Sequence, residues 1–323
     1  MPLTQLFQYS VSTPQYIVKY LKYTVSTLHI LGFSRDDFPP DFVFGAGTSA
    51  YQYEGAVDVD GKRPSIWDTF THAGKVADKS TADVTAGGYY KYRMAEEQST
   101  LKALSTTTML SMSSSSMAKQ NGWIGMNVYT FWMVPFTDST ADITATQRAF
   151  DFQIGWVINP LVFGDYPETM KKRAGSRIPT FTKCQSKKLM KSFDFIGINH
   201  YTTIYISDNI DDSNTGLRDY YEDMSVVTSV SRNETPSGQF IPVAPLPPDP
   251  NGIRKMLEYL KDFYNNPPVY VQENGLGTPY NDTNLNDTER VDFLRGYIGA
   301  ILEAIRPLVM DESDETASDT ELG

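Results

Sequence analysis

Four apolar runs separated by stretches of helical character restrict this chain more than any other feature in it. Residues 42–47 (Phe42-Val43-Phe44-Gly45-Ala46-Gly47), Trp123–Tyr129, Phe193–Asn199 and Val269–Gln272 are rich in apolar side chains. A strand with one wet face alternates apolar and polar residues, whereas a near-continuous run marks a strand covered on both faces. Helical patterns lie between them, at Tyr89–Leu104, about Thr144–Val157 and Ile253–Tyr264. After the last strand, Val291, Leu294, Ile298, Ile301 and Ile305 recur at helical spacing and predict a helix with that face buried. Asp287 suits its N-cap and Pro307 its end. Strands alternating with helices predict an α/β architecture with a parallel sheet. Polar chain over most of 205–250 reads as loop.

The last strand carries a chemical signal. Pro267-Pro268 pre-set it, Val269–Gln272 form it, Glu273 ends it and Asn274-Gly275 supply a turn. A carboxylate at the carboxyl end of a parallel strand stands where barrel enzymes mount their reactive groups. A Glu that merely faces water at a strand end is the structural alternative.

Composition excludes several other chemistries. The net charge of −11 disfavours nucleic acid or an anionic membrane as partner. Six of the acids, Asp311, Glu312, Asp314, Glu315, Asp319 and Glu321, belong to an acidic segment at 307–323 that reads as a solvated, disordered tail. Cys184 is the single cysteine, so no intrachain disulfide or cysteine-rich metal site is encoded. His29, His72 and His200 lack metal-ligand spacing and read as surface or hydrogen-bonding histidines. With no phosphate loop and no nucleophile elbow, neither cofactor nor metal is expected. Residues 1–33 read as a poor signal-like or non-native leader, since Tyr23–Phe33 is too short and too polar to span a bilayer. Sequons at Asn233, Asn281 and Asn286 are compatible with secretion. Ser105–Met117, almost all Ser, Thr and Met, reads as a flexible low-complexity junction.

Five motifs, in order, resemble the plant β-glucosidases of glycoside hydrolase family 1. They are Phe38-Pro39-Pro40-Asp41-Phe42 through Ser49–Gly55, Pro64–Phe70, Asn159-Pro160-Leu161 to Gly164–Pro167, Phe195–Tyr201 and Val271–Gly275. The resemblance runs over 34–95 and 119–306. It implies a fragment of the eight-fold (β/α)8 TIM barrel, with strands resembling the first, fifth, sixth and seventh, over a partial barrel at 34–306. It also implies a β-glucoside small molecule as substrate and a secreted or vacuolar location. By resemblance, Glu273 would be the nucleophile, Tyr201 would hydrogen-bond it, and Gln52 and Asn199 would bind the sugar. The chemistry suits those roles: an amide both donates and accepts toward vicinal hydroxyls, and a phenol bonded to a carboxylate favours its charged form.

The departures from the family are large. Retaining hydrolysis needs two carboxyl groups about 5–5.5 Å apart, one attacking and one shuttling the proton. The family carries the second in an Asn-Glu-Pro motif, and no such tripeptide occurs here. Family strands two to four, the usual cysteine pair and the eighth strand have no counterpart, so the acid/base is missing. Glu54, Glu96 and Glu97 are the nearby acids, of which Glu54 lies closest in sequence to Gln52. Three readings follow. One is a β-glucosidase that is inactive or severely impaired; another is a non-catalytic sugar-binding or interaction protein. The third is the non-folding product of a decayed or mis-spliced gene.

Overall fold

A computed structural model of the 323-residue chain describes residues 11–12, 33–45, 47, 50–76, 79–85, 87–91, 123–190, 192–209, 219–233, 236, 246–277 and 287–306. Most of the expected leader, the 105–117 junction, the continuation of the helix beyond Lys91 and the acidic tail lie outside the described residues. The chain divides into two compact units, one of residues 43–114 and one of residues 1–42 with 115–323.

Among the described residues of the 43–114 unit, three short helices form: α1 (Ala50–Tyr53), α2 (Ile66–His72) and α3 (Gly88–Lys91). The Pro64–Phe70 motif is explained by its cap. Ser65 Oγ accepts from the Asp68 N–H, and the Asp68 carboxylate accepts from the Ser65 N–H, a reciprocal pair that satisfies two otherwise orphaned donors. Burial alone would raise the Asp68 carboxyl, but the hydrogen bonds from Ser65 outweigh it and hold it below the usual range. Tyr51 and Thr71 share a hydroxyl hydrogen bond of 2.9 Å, which ties α1 to α2. The strand expected at the start of 42–55 does not form among the described residues. Phe42–Gly45 run as irregular chain and α1 follows. No strand among the described residues pairs with this stretch, so an extended conformation there would gain no hydrogen-bond ladder.

The other unit is built on one five-stranded sheet: β1 (Val11–Ser12), β2 (Trp123–Pro135), β3 (Phe195–Asp208), β4 (Val226–Ser229) and β5 (Val269–Glu273). Three of the four strands expected for a barrel are therefore present, and they are adjacent: β2, β3 and β5 are parallel, with β3 in the middle. The sheet is mixed because β1 runs antiparallel to the start of β2, and β4 antiparallel to the end of β3. The crossover from β2 to β3 holds α4 (Thr140–Phe150), α5 (Trp156–Phe163), α6 (Glu168–Ala174) and α7 (Lys183–Leu189). Between β3 and β5 come α8 (Tyr220–Met224), β4 and α9 (Pro250–Phe263), and α10 (Thr288–Ile305) follows β5. Helices α4 and α9 pack on β2 and β3. Ile196 and Ile198 from β3, with Ile253, Met256 and Leu260 from α9, are buried there. Among the described residues no helix is long and apolar enough to cross a membrane.

Several expected boundaries move. The helix expected at Thr144–Val157 starts at Thr140, where Ser139 accepts from the Asp142 N–H. It then runs through a π-helical stretch, Asp151–Gly155, into α5. Gly164, left-handed at φ 84°, ends it. Within the expected loop at 205–250, β3 continues to Asp208, α8 forms and β4 pairs with Tyr205–Asp208, while residues 210–218, 234–235 and 237–245 lie outside the described residues. Ser207 and Asp208 end the apolar run of β3, so its last residues carry no strand signal of their own. Helix α10 forms over the expected span, and Asp287 caps it by accepting from the Arg290 N–H. Its core face, however, is Phe293, Tyr297 and Ala300, while Val291 and Leu294 are 50% and 43% exposed. The two aromatic rings decide this. Phe293 and Tyr297 stack at 4.3 Å and cluster with Ile253, Val271 and Leu276, burying more apolar area than the aliphatic stripe would.

Candidate active site

Alternation along β3 separates two faces. Ile196, Ile198 and His200 turn to the helices; Gly197, Asn199 and Tyr201 turn to the opposite face. In a parallel pair, residues in register share a face. Asn127 is in register with Gly197, and Tyr129 with Asn199. On β5, Tyr270 is in register with Gly197 and Val271 with Ile198, but Glu273, not Gln272, is in register with Asn199. The ladder slips by one residue, a bulge at Gln272. Strict alternation would send Glu273 to the helix face with Val269 and Val271. The bulge turns it to the face of Asn199 and Tyr201.

The result is two polar tiers on one face of three parallel strands, at the carboxyl end of β5 and midway along β2 and β3. In the outer tier the Tyr201 hydroxyl donates to Glu273 Oε2 at 2.6 Å, and the Tyr129 and Tyr201 rings lie 5.7 Å apart. Burial, then the bond to Glu273, pushes the Tyr201 phenol far above its usual range. Burial, then the charge of Glu273, lifts Tyr129 to about 12. Both phenols therefore stay neutral donors near a carboxylate. In the inner tier Asn127 Nδ2 donates to Asn199 Oδ1 at 2.7 Å and to Gln272 Oε1 at 2.5 Å. The outer tier is held from behind. Tyr297 donates its hydroxyl proton to the Tyr201 carbonyl and accepts from the Asp249 N–H. Asn274, in the turn after Glu273, donates to the His200 carbonyl at 2.8 Å.

Of the residues expected to form the site, Asn199, Tyr201 and Glu273 are brought onto one face. Gln52 lies in the other unit, exposed on α1. Glu54 is half-buried there and accepts the Tyr89 N–H through its carbonyl, while Glu96 and Glu97 lie outside the described residues. Asn127, Tyr129 and Gln272 were not anticipated. The usable signal was present: polar side chains at alternate positions of a strand that is otherwise apolar, Asn127 and Tyr129, mark one face of β2.

His200 is not a surface histidine. It is fully buried, with Nδ1 3.0 Å from Thr130 Oγ1 and Nε2 without a partner among the described residues. Burial depresses it to about 3, from 6.5. An unfolded chain takes up a proton near pH 6.5 that the folded chain refuses until about 3. Stability from this group is therefore complete above pH 6.5 and is lost as pH falls toward 3. The loss is about 1.4 kcal/mol per pH unit, or about 3 kcal/mol by pH 4. Urea midpoints at pH 7 and pH 4 check this; a His200→Leu variant should lose that part of the slope.

The glycosyl hydrolase family 1 model matches residues 34–113 and 93–312, two stretches that overlap at 93–113. β-Glucosidase 22 of Oryza sativa subsp. japonica is 40% identical over 417 positions, covering 85% of this chain and 78% of the relative. Those 417 positions exceed the 323 residues of the chain, so the match bridges a stretch of the relative with no counterpart here. A cyanidin 3-O-glucoside 7-O-glucosyltransferase (acyl-glucose) of Delphinium grandiflorum is 33% identical, covering 84% of this chain and 80% of the relative. Among solved structures, the rice Os3BGlu6 β-glucosidase superposes with a TM-score of 0.72 at 25% identity, over 84% of this chain and 88% of that one. The β-glucosidase of Trichoderma harzianum shares the fold, with a TM-score of 0.66 at 22% identity over 83% and 85%. Sequence, sheet order and these matches agree: the chain belongs to glycosyl hydrolase family 1, as a partial (β/α)8 barrel of the plant β-glucosidase kind.

Proposed function

We propose that this chain keeps the nucleophile half of a retaining β-glucosidase site and lacks the acid half. The observation that carries the reading is the 2.6 Å bond from the Tyr201 hydroxyl to Glu273 at the carboxyl end of β5. A neutral phenol there holds the carboxylate in one rotamer. The Glu273 oxygen attacks the anomeric carbon, the bond from that carbon to the aglycone oxygen breaks, and its electron pair leaves with the aglycone. Asn199, on the same face as Glu273, binds a glucose hydroxyl. No Asn-Glu-Pro segment supplies a proton to the departing oxygen. A missing general acid costs about 10²–10⁴-fold, so substrates are restricted to β-glucosides whose aglycone leaves readily as an anion. Breakdown of the glucosyl ester is slow for want of a base, so the ester accumulates.

The test is incubation of the purified chain with 2,4-dinitrophenyl 2-deoxy-2-fluoro-β-D-glucoside. The expected result is a covalent sugar adduct in the intact mass, mapped to the peptide of Glu273. With ordinary substrates, nitrophenyl glucoside should outrun an alkyl glucoside by more than the family's usual margin, by about 10²-fold or more. A chain that melts cooperatively yet acquires no adduct would overturn the reading and leave sugar binding without chemistry.

A further inference from the structure

Glu273 reaches the site face only because of the bulge at Gln272, and the structure shows what holds that bulge. Gln272 lies across β3 to meet Asn127 on β2, so the inner tier spans all three parallel strands. The crossing is possible because residue 197 has no side chain. A Cβ there would stand 2.2 Å from Gln272 Oε1 and 3.4 Å from the Asn127 Cα. Asn127 is buried and spends its donors on Asn199 and Gln272, while its Oδ1 has no partner among the described residues. Strand β5 is otherwise half-buried along its whole length and pairs only with β3 among the described residues. Among the described residues no strand pairs with its outer edge to fix its register.

We propose that Gln272, clamped to Asn127 over Gly197, is a positioning residue that locks the bulge and so aims Glu273 at Tyr201. An edge strand without the clamp relaxes toward plain alternation, which carries Glu273 to the helix face. The clamp thus acts on the nucleophile through the backbone, without touching substrate. Asn199 shares the same amide, so the clamp also fixes which end of the Asn199 side chain is presented. Its Oδ1 is occupied by the Asn127 amide.

This inference rests on the proposed role of Glu273, and its test separates the two. The setting of the Glu273 carboxyl is read by NMR at pH 7 in chain labelled with carboxyl-13C glutamate, its signal assigned with Glu273→Gln, a readout that needs no turnover. Tyr201→Phe gives the signal of a Glu273 that has lost the phenol bond. Gln272→Val is expected to move the signal to that same position with a cooperative melt retained. Gly197→Ala, which alters neither amide, should do likewise, and adding Tyr201→Phe to either should move it no further. Trapping by the fluoroglucoside should slow about 10–100-fold. If both variants keep the parent's signal while Tyr201→Phe moves it, the clamp is structural only and the inference falls. A parent whose signal responds to Tyr201→Phe but which is never trapped would instead overturn the proposed function and leave the clamp standing.

Discussion

Glu273→Gln is expected to abolish covalent labelling and to lower nitrophenyl glucoside cleavage by about 10⁴-fold or more, while leaving the fold in place. The amide keeps the size and planarity of the carboxylate, so the Tyr201 hydroxyl retains an acceptor. Stability should change by no more than about 1 kcal/mol, the size of one hydrogen bond weakened by loss of charge. Chemistry is different, because a neutral amide oxygen does not open the bond at the anomeric carbon. Intact mass spectrometry and a thermal melt on one preparation check both halves. An adduct that persists at another residue would place the nucleophile elsewhere, and Glu54 would then be the acid to examine. Because the leaving group departs without a proton here, the variant is not masked by a surviving acid catalyst.

Arg148→Ala is expected to cost about 3–5 kcal/mol, enough to remove much of the stability of a marginal fold. The guanidinium is buried on α4. It donates to the Met224 carbonyl at 2.5 Å, to the Ser225 carbonyl at 2.7 Å and to Asp208 at 2.6 Å. One side chain thus joins the first crossover helix, the end of β3 and the turn into β4. Its loss leaves Asp208 partly buried without its cation and the Met224 carbonyl without that donor. Replacement of an exposed cation such as Lys172 should stay within about 0.5 kcal/mol. Chemical unfolding of the two variants side by side measures the contrast. A small loss at Arg148 would mean that β4 and α8 contribute little to the cooperative unit.

Much of the architecture was legible because it rests on local signals. The runs at Trp123–Tyr129, Phe193–Asn199 and Val269–Gln272 become parallel neighbours, and helices form close to where periodicity places them. The five motifs identify the family, and the absent Asn-Glu-Pro segment can be read directly from the residues. Where local and tertiary preferences conflict, the sequence misleads. Residues 42–45 have strand composition but no partner strand, and α10 buries the Phe293–Tyr297 side rather than its aliphatic stripe.

The candidate site divides in the same way. Glu273, Tyr201, Asn199 and Gln52 could be named from motifs, because residue type and order are properties of the chain. That Asn199, Tyr201 and Glu273 share a face, that Asn127 and Tyr129 join them, and that His200 is sealed among the helices are not such properties. Alternation by itself puts Glu273 on the wrong side of β5. Only the bulge at Gln272, pinned across Gly197 to another strand, turns it around. A register is a relation between strands far apart in sequence, and no single strand encodes it.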